Sequence, residues 1–274
     1  MKLLRLASGI TATAVLCVAA HAPASVIDTF DANGQSALFE SAKLDNKFNG
    51  NNFPADEGEI RIQDGGLETG GTFGNTSTVR DQRMLIRVDI SSIASSREAI
   101  GGSLLVVGRP NTVVANSDFT VELHRVTTDW VEGAVTSPPT GGDGNVAVSW
   151  SDSDGFDNPG DWTNDGGDFG STPIDTFDVA AGTTSSSRFD MLFDLGSAEG
   201  LDALNDWIDD PAQNFGFLLR IVADDDSVDN RIDVRNVETG VTGQRPVLTV
   251  ETIPEPGSMM LLGAGAACML MRRR

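Results

Sequence analysis

Alternation of apolar and polar residues is sharpest in RMLIRVDI, residues 83–90. Met84, Ile86, Val88 and Ile90 fall on one side; Arg83, Arg87 and Asp89 fall on the other. Successive side chains of a strand point to opposite faces, so this segment predicts a half-buried strand. FTVELHRV repeats the pattern, with Phe119, Val121 and Leu123 inward. Shorter runs at Ser103–Val107, Ala147–Trp150, Thr176–Val179, Phe189–Phe193, Phe215–Ile221, Arg231–Val234 and Val247–Val250 predict further strands. Gly, Asn, Asp and Ser between them supply the turns. One segment changes period. Leu201, Leu204 and Ile208 recur at three- and four-residue spacing, which predicts one short helix with Trp207 at the edge of its apolar stripe. Ser197 caps its start and Pro211 ends it. The pattern as a whole predicts an all-β antiparallel sandwich. Two stretches are unusually polar, Asp45–Glu59 and the Gly- and Asp-rich Thr136–Pro173. Long loops of this kind in compact domains are often functional. No repeat of fixed period is present, which argues against a solenoid.

The two ends break the pattern. Lys2 and Arg5 precede a largely apolar run, Leu6–Ala20, and small residues follow at Ala20-His21-Ala22 and Ala22-Pro23-Ala24. Charge, apolar core and small-residue exit in that order predict a secretory signal peptide over 1–24. At the other end stand Pro254-Glu255-Pro256, an apolar run Gly257–Met271, and Arg272-Arg273-Arg274. The run is shorter than the roughly 20 residues of an ordinary membrane span, and Gly263 and Gly265 weaken it. It predicts a marginal membrane sorting helix that holds the chain transiently, with the arginines as a cytoplasmic stop. A permanent tail anchor is the alternative. The tripartite segment 254–274 resembles the PEP-CTERM sorting signal of Gram-negative bacteria. That resemblance implies an exosortase-type enzyme that cuts near Pro-Glu-Pro and releases or attaches the protein outside the cell.

Between the ends lies a body of residues 25–253, a length that suits one sandwich domain. Both cysteines, Cys17 and Cys268, sit in the terminal segments, so the body has no disulfide to form. The chain has 19 basic and 40 acidic residues; without Lys2, Arg5, Arg272, Arg273, Arg274 and Glu255 the body keeps 14 and 39, a net charge of −25. Such a body repels phosphate backbones and anionic lipid, which excludes nucleic acid as a partner. The bland reading of this acidity is a solvated surface.

Several body segments resemble the DNRLRE-type domain, also described as the disaggregatase-related carbohydrate-binding module. They are RMLIRVDISSI (83–93), IGGSLLV (100–106), VELHRVTTDWVEGAVT (121–136), NFGFLLR (214–220), DNRIDVRN (229–236) and RPVLTV (245–250). Their order follows the family and they span nearly the whole body. Two departures stand out. Ser137 occupies the place where a Trp often follows the V-T pair, and the closing R-x-E element is loose. The resemblance implies a jelly-roll-like sandwich working beside extracellular polysaccharide.

Candidate chemistry follows from residue type. Sugar rings stack on indole faces, and Trp150 and Trp162 lie in the polar insertion where they are offered for that role. The competing reading makes them plugs that fix the loop onto the sandwich. Trp130 and Trp207 are placed in the core. Asp152, Asp154, Asp157, Asp165 and Asp168 sit among glycines and could wrap a structural Ca²⁺, although no stretch has EF-hand spacing. Solvated turn residues are the alternative. His124 is the one histidine of the body, and no GxSxG elbow accompanies it, so no catalytic residue is assigned. The expected function is that of an exported, non-enzymatic protein associated with extracellular polysaccharide or biofilm matrix. A purely structural surface protein or adhesin is the alternative. A polysaccharide-degrading enzyme, for which two carboxylates would suffice, is a third reading.

Overall fold

The computed structural model of the chain describes residues 24–46, 53–54, 59–67, 79–132, 148, 150, 162–223, 225, 227–237 and 239–254. The signal peptide except Ala24, and the sorting segment 254–274 except Pro254, therefore lie outside the described residues. The strands are β1 (Val26–Asp31), β2 (Phe39–Asp45), β3 (Phe53–Pro54), β4 (Glu59–Leu67), β5 (Val79–Val88), β6 (Arg97–Gly108), β7 (Val114–Ala115), β8 (Phe119–Arg125), β9 (Asp175–Val179), β10 (Phe189–Asp194), β11 (Phe217–Ala223), β12 (Asn230–Arg235) and β13 (Val247–Pro254). Two short helices, α1 (Ala32–Gln35) and α2 (Ala198–Asp209), complete the set.

All strand pairs are antiparallel, and the whole is an all-β sandwich. One layer runs β1–β13–β6–β10; the other runs β2–β5–β11–β8–β9. β12 and β4 turn the corner between them, with β4 joining the first half of β5 on the side that β11 takes over further along. Inward residues from both layers make the main core: Met84, Ile86 and Val88 from β5, Phe119, Val121 and Leu123 from β8, Phe217, Leu219 and Ile221 from β11, and Leu104, Val106, Leu248 and Val250 across the gap. The alternation read in residues 83–90 and 119–126 is thus the core face of two strands of one layer, β5 and β8, with β11 between them.

α2 packs against β6 at one end of this core. The Ser197 hydroxyl accepts from the Gly200 N–H at 3.1 Å and caps the helix. The buried stripe is Gly200, Ala203, Leu204, Trp207 and Ile208, so Trp207 is central to it and Leu201 is only half-buried. Gly200 makes this approach possible, because a Cβ there would lie 2.5 Å from the Leu195 carbonyl oxygen. Trp207 meets Phe217 edge to face at 5.0 Å.

The pattern of the sequence missed β1, β2, β4, the two-residue β3 and β7, and the four-residue α1. β2 shows why. Its burial does not alternate, because Phe39 and Ser41 face the main core while Ala42 and Leu44 face a second apolar cluster on the outside of the same sheet. Two-sided burial erases the period-two signal. At Ala147–Trp150, where a strand was expected, the described residues Val148 and Trp150 are not in a strand. They belong to that outer cluster.

Candidate functional site

The outward face of β2, β5, β11 and β8 is set by register. Leu85 stands opposite Ala42 and Leu218, and Arg83 lies beside Leu44. Arg220 stands opposite Glu122, and Leu218 opposite His124. The apolar members of this row are covered from outside by Val126, Trp130, Val148, Trp150 and Trp162, with Phe169 and Phe215 at the margin. The cover is a strap made of the chain after β8 and the chain before β9. It is hydrogen-bonded to itself and to the sheet: Val148 N–H to Val131 O at 2.8 Å, Gly166 N–H to Trp150 O at 2.7 Å, Thr127 N–H to Asp168 O at 3.0 Å and Gly170 N–H to Arg125 O at 2.9 Å. The Trp130 indole N–H reaches Phe215 O at 2.7 Å.

Both tryptophans offered for sugar stacking are in this cover. Trp150 is 7% exposed and Trp162 is 6% exposed. The Arg83 guanidinium lies over the Trp150 ring at 4.7 Å and donates to Gly166 O at 2.8 Å. The geometry is that of plugs: the ring faces are occupied by protein. Trp130 and Trp207 are fully buried, as the sequence indicated. Gly166 is required where it stands. Its φ is +87°, and a Cβ would lie 2.6 Å from Arg83 Nη1 and 2.8 Å from Trp150 Cζ2.

The carboxylates placed as calcium ligands divide. Asp152, Asp154 and Asp157 lie outside the described residues. Asp165 is exposed. Asp168 is 8% exposed and staples the strap. Its Oδ2 accepts from the Thr128 hydroxyl at 3.0 Å and from Thr163 N–H at 2.9 Å, and its Oδ1 accepts from Asn164 N–H at 3.0 Å. Burial pushes its pKa up, but these three donors outweigh burial and hold it below the usual carboxylate value. Among the described residues no group of three or more His, Cys, Asp or Glu is arranged to hold a metal ion.

Beside the staple runs a polar network that sequence reasoning did not find. The buried His124 ring pairs through Nδ1 with Gly170 O at 2.7 Å and through Nε2 with Glu122 Oε2 at 2.8 Å. Both partners are acceptors, so the arrangement is satisfied when both ring nitrogens carry hydrogen. Arg220 donates to the same Glu122 oxygen at 2.8 Å, and Phe169 is packed among the His124 ring, Arg220 and Arg83. Burial raises the Glu122 pKa, but His124 and Arg220 prevail and lower it. Asp81 is shifted the other way: burial raises it, and Arg83 offsets that only in part. Glu122 and His124 fall outward once Phe119, Val121 and Leu123 face the core; their pairing with Arg220 and Leu218 and their contact with the strap had no signal in the sequence.

Above the staple lies an open cleft of about 580 Å³. Arg83, Thr127, Thr128, Thr163, Asn164, Asp165, Asp168 and Ser171 supply its polar lining, with Gly167 and Phe169 beneath. It offers hydroxyl, amide and carboxylate groups to a polar ligand, not an aromatic platform.

Comparison with known proteins adds the destination. Residues 252–274 match the model of the PEP-CTERM protein-sorting motif. No curated protein matches the chain, and no family match supports the DNRLRE-like reading of the body. Fold and signal together define an exported antiparallel β-sandwich. The protein is processed by an exosortase-like enzyme, is transiently anchored in the membrane, and belongs to the cell surface or the extracellular space.

Two predictions follow from the strap. Trp150→Ala lowers unfolding free energy by about 3–5 kcal/mol, the usual loss for a buried tryptophan, in urea titration. The second concerns acid. A lowered pKa means that the folded protein holds its proton less tightly than the unfolded chain. Asp168 and Glu122 therefore stabilise the fold above about pH 4, and that contribution disappears as pH falls through their folded-state values. Asp81 works in the opposite sense: its contribution is present when it is protonated and is lost as pH rises through its raised value. Urea midpoints measured from pH 7 to pH 3 fall less steeply for Asp168→Asn than for the wild type.

Proposed function

We propose that this protein is a non-enzymatic component of the cell exterior whose sandwich associates with polysaccharide. The observation that carries the reading is the coincidence of a PEP-CTERM sorting signal with an all-β body that holds an open cleft lined by hydroxyl, amide, carboxylate and guanidinium groups. The DNRLRE-like order of segments along the body supports the same reading. Burial of Trp150 and Trp162 moves the contact from their ring faces to the cleft rim, where Thr128, Asn164 and Ser171 can exchange hydrogen bonds with sugar hydroxyls. The charge narrows the class of glycan. A body of net charge −25 repels uronic-acid polymers and leaves neutral polysaccharides as the favoured ligands, unless a divalent cation bridges the two. Catalysis finds little support at His124, because both of its ring nitrogens are engaged and neither is free to take a proton from a nucleophile.

The second reading, a purely structural surface protein or adhesin, is favoured by the same buried tryptophans, since it needs no platform. One experiment separates the two. Mature protein recovered from the extracellular fraction is passed over immobilised neutral and uronic-acid polysaccharides, with and without Ca²⁺, beside the Asn164→Ala variant. The proposal expects retention on neutral polymers and about tenfold weaker binding by the variant, the loss of one to two sugar hydrogen bonds. Retention on none of the polymers, with folding intact, leaves the structural reading.

A further inference from the structure

The sorting motif does not begin beyond the fold; it begins inside it. The first three residues of the matched segment, Thr252, Ile253 and Pro254, are the end of β13. Thr252 stands opposite Ala99 of β6 on one side and Val26 of β1 on the other, and it is fully buried. Ile253 and Pro254 continue the register with Glu98 and Arg97. β13 is therefore an interior strand up to Thr252, and is held by β6 alone for two residues more.

This rim is fastened. Arg97 Nη2 lies 2.8 Å from Asp28 Oδ2, an ion pair that joins β6 to β1 across β13. Its two side chains are 18% and 31% exposed. From α2, Asn205 clips the start of β6, accepting from Ala99 N–H at 2.7 Å and donating to Ala99 O at 3.3 Å. β1 also begins here, so the chain enters and leaves the sandwich at one end of one layer.

Enzymes that act on peptide bonds commonly take their substrate as an extended strand whose main-chain groups pair with the enzyme. Thr252 has both neighbours already in place, so it is not available for such pairing while the sheet is intact. We propose that the β1–β13–β6 rim restrains the sorting segment. The processing enzyme works beyond Pro254, and the cut is slowed by the need to free the last residues of β13. Hydrolysis beyond Pro254 leaves the folded body with a new C-terminal carboxylate and the membrane segment with a new amine. The mature protein therefore keeps β13, and with it the pairing that closes the sheet.

The test follows full-length protein in its exporting cells by pulse-chase, with mass spectrometry of the mature C-terminus. Two variants are compared with wild type. Asp28→Asn removes the ion pair across β13. A flexible Gly-Ser spacer between Pro254 and Glu255 leaves every described residue unchanged, and so guards against a variant that misfolds. Both are expected to lose the C-terminal segment about three- to fivefold faster, the scale of one lost partly exposed ion pair and of local fraying. The wild-type terminus is expected to retain Pro254. A spacer variant processed at or below the wild-type rate, or a mature terminus at Ile253 or earlier, overturns the proposal.

Discussion

Leu44, Leu85 and Leu218 point away from the main core, and the sheet cannot leave them against water. That constraint shapes everything outside the sandwich. It turns the segments after β8 and before β9 into a third partial layer, pinned by Trp130, Trp150 and Trp162. Without this cover a half-buried sheet would present an apolar stripe on the exterior of a very acidic protein. With it, the described residues of the polar insertion, Val148, Trp150 and 162–173, are tied to the sheet, and several of them line the cleft.

The cover is held by two kinds of interaction with different sensitivities. Indole burial removes apolar surface from water and is indifferent to pH. The polar network supplies position: Asp168 gathers Thr128, Thr163 and Asn164, while His124 and Glu122 anchor Gly170 and Arg220. Arg83 joins the two, touching Trp150 and Phe169 with its face and Gly166 and Asp81 with its edge. Its stacking and its forked hydrogen bonding are both needed there, and lysine offers neither in that form.

The sequence disclosed what had one clear period. β5 and β8 alternate because one of their faces meets the core and the other is largely polar, and α2 shows its stripe because its outer side is solvated. β2 was invisible because Ala42 and Leu44 are buried on the face that a two-layer sandwich would expose. The plugging of Trp150 and Trp162 was legible only as one of two alternatives: an indole in a polar loop looks the same from sequence whether its ring meets sugar or Leu85. The pairing of β1 with β13 joins residues more than 200 positions apart, and no local signal announces it. The terminal sorting motif needed no fold to be read, yet its junction with β13 did.

A body that enters and leaves its fold at one end suits a protein held by its terminus at a surface. The strap and its cleft are built from the other layer of the sandwich. Whether that strap is a packed layer or a loose loop decides most of this account, and the chain's composition makes the question easy to ask. With four tryptophans and no tyrosine, intrinsic fluorescence reports indole environment alone. Acrylamide quenching of the native protein is expected to show blue-shifted emission and weak quenching of all four tryptophans. Emission at the wavelength of free indole, with a quarter or more of the signal fully quenchable and the same fraction lost in a Trp150→Phe/Trp162→Phe variant, would place a strap tryptophan in water and contradict the account.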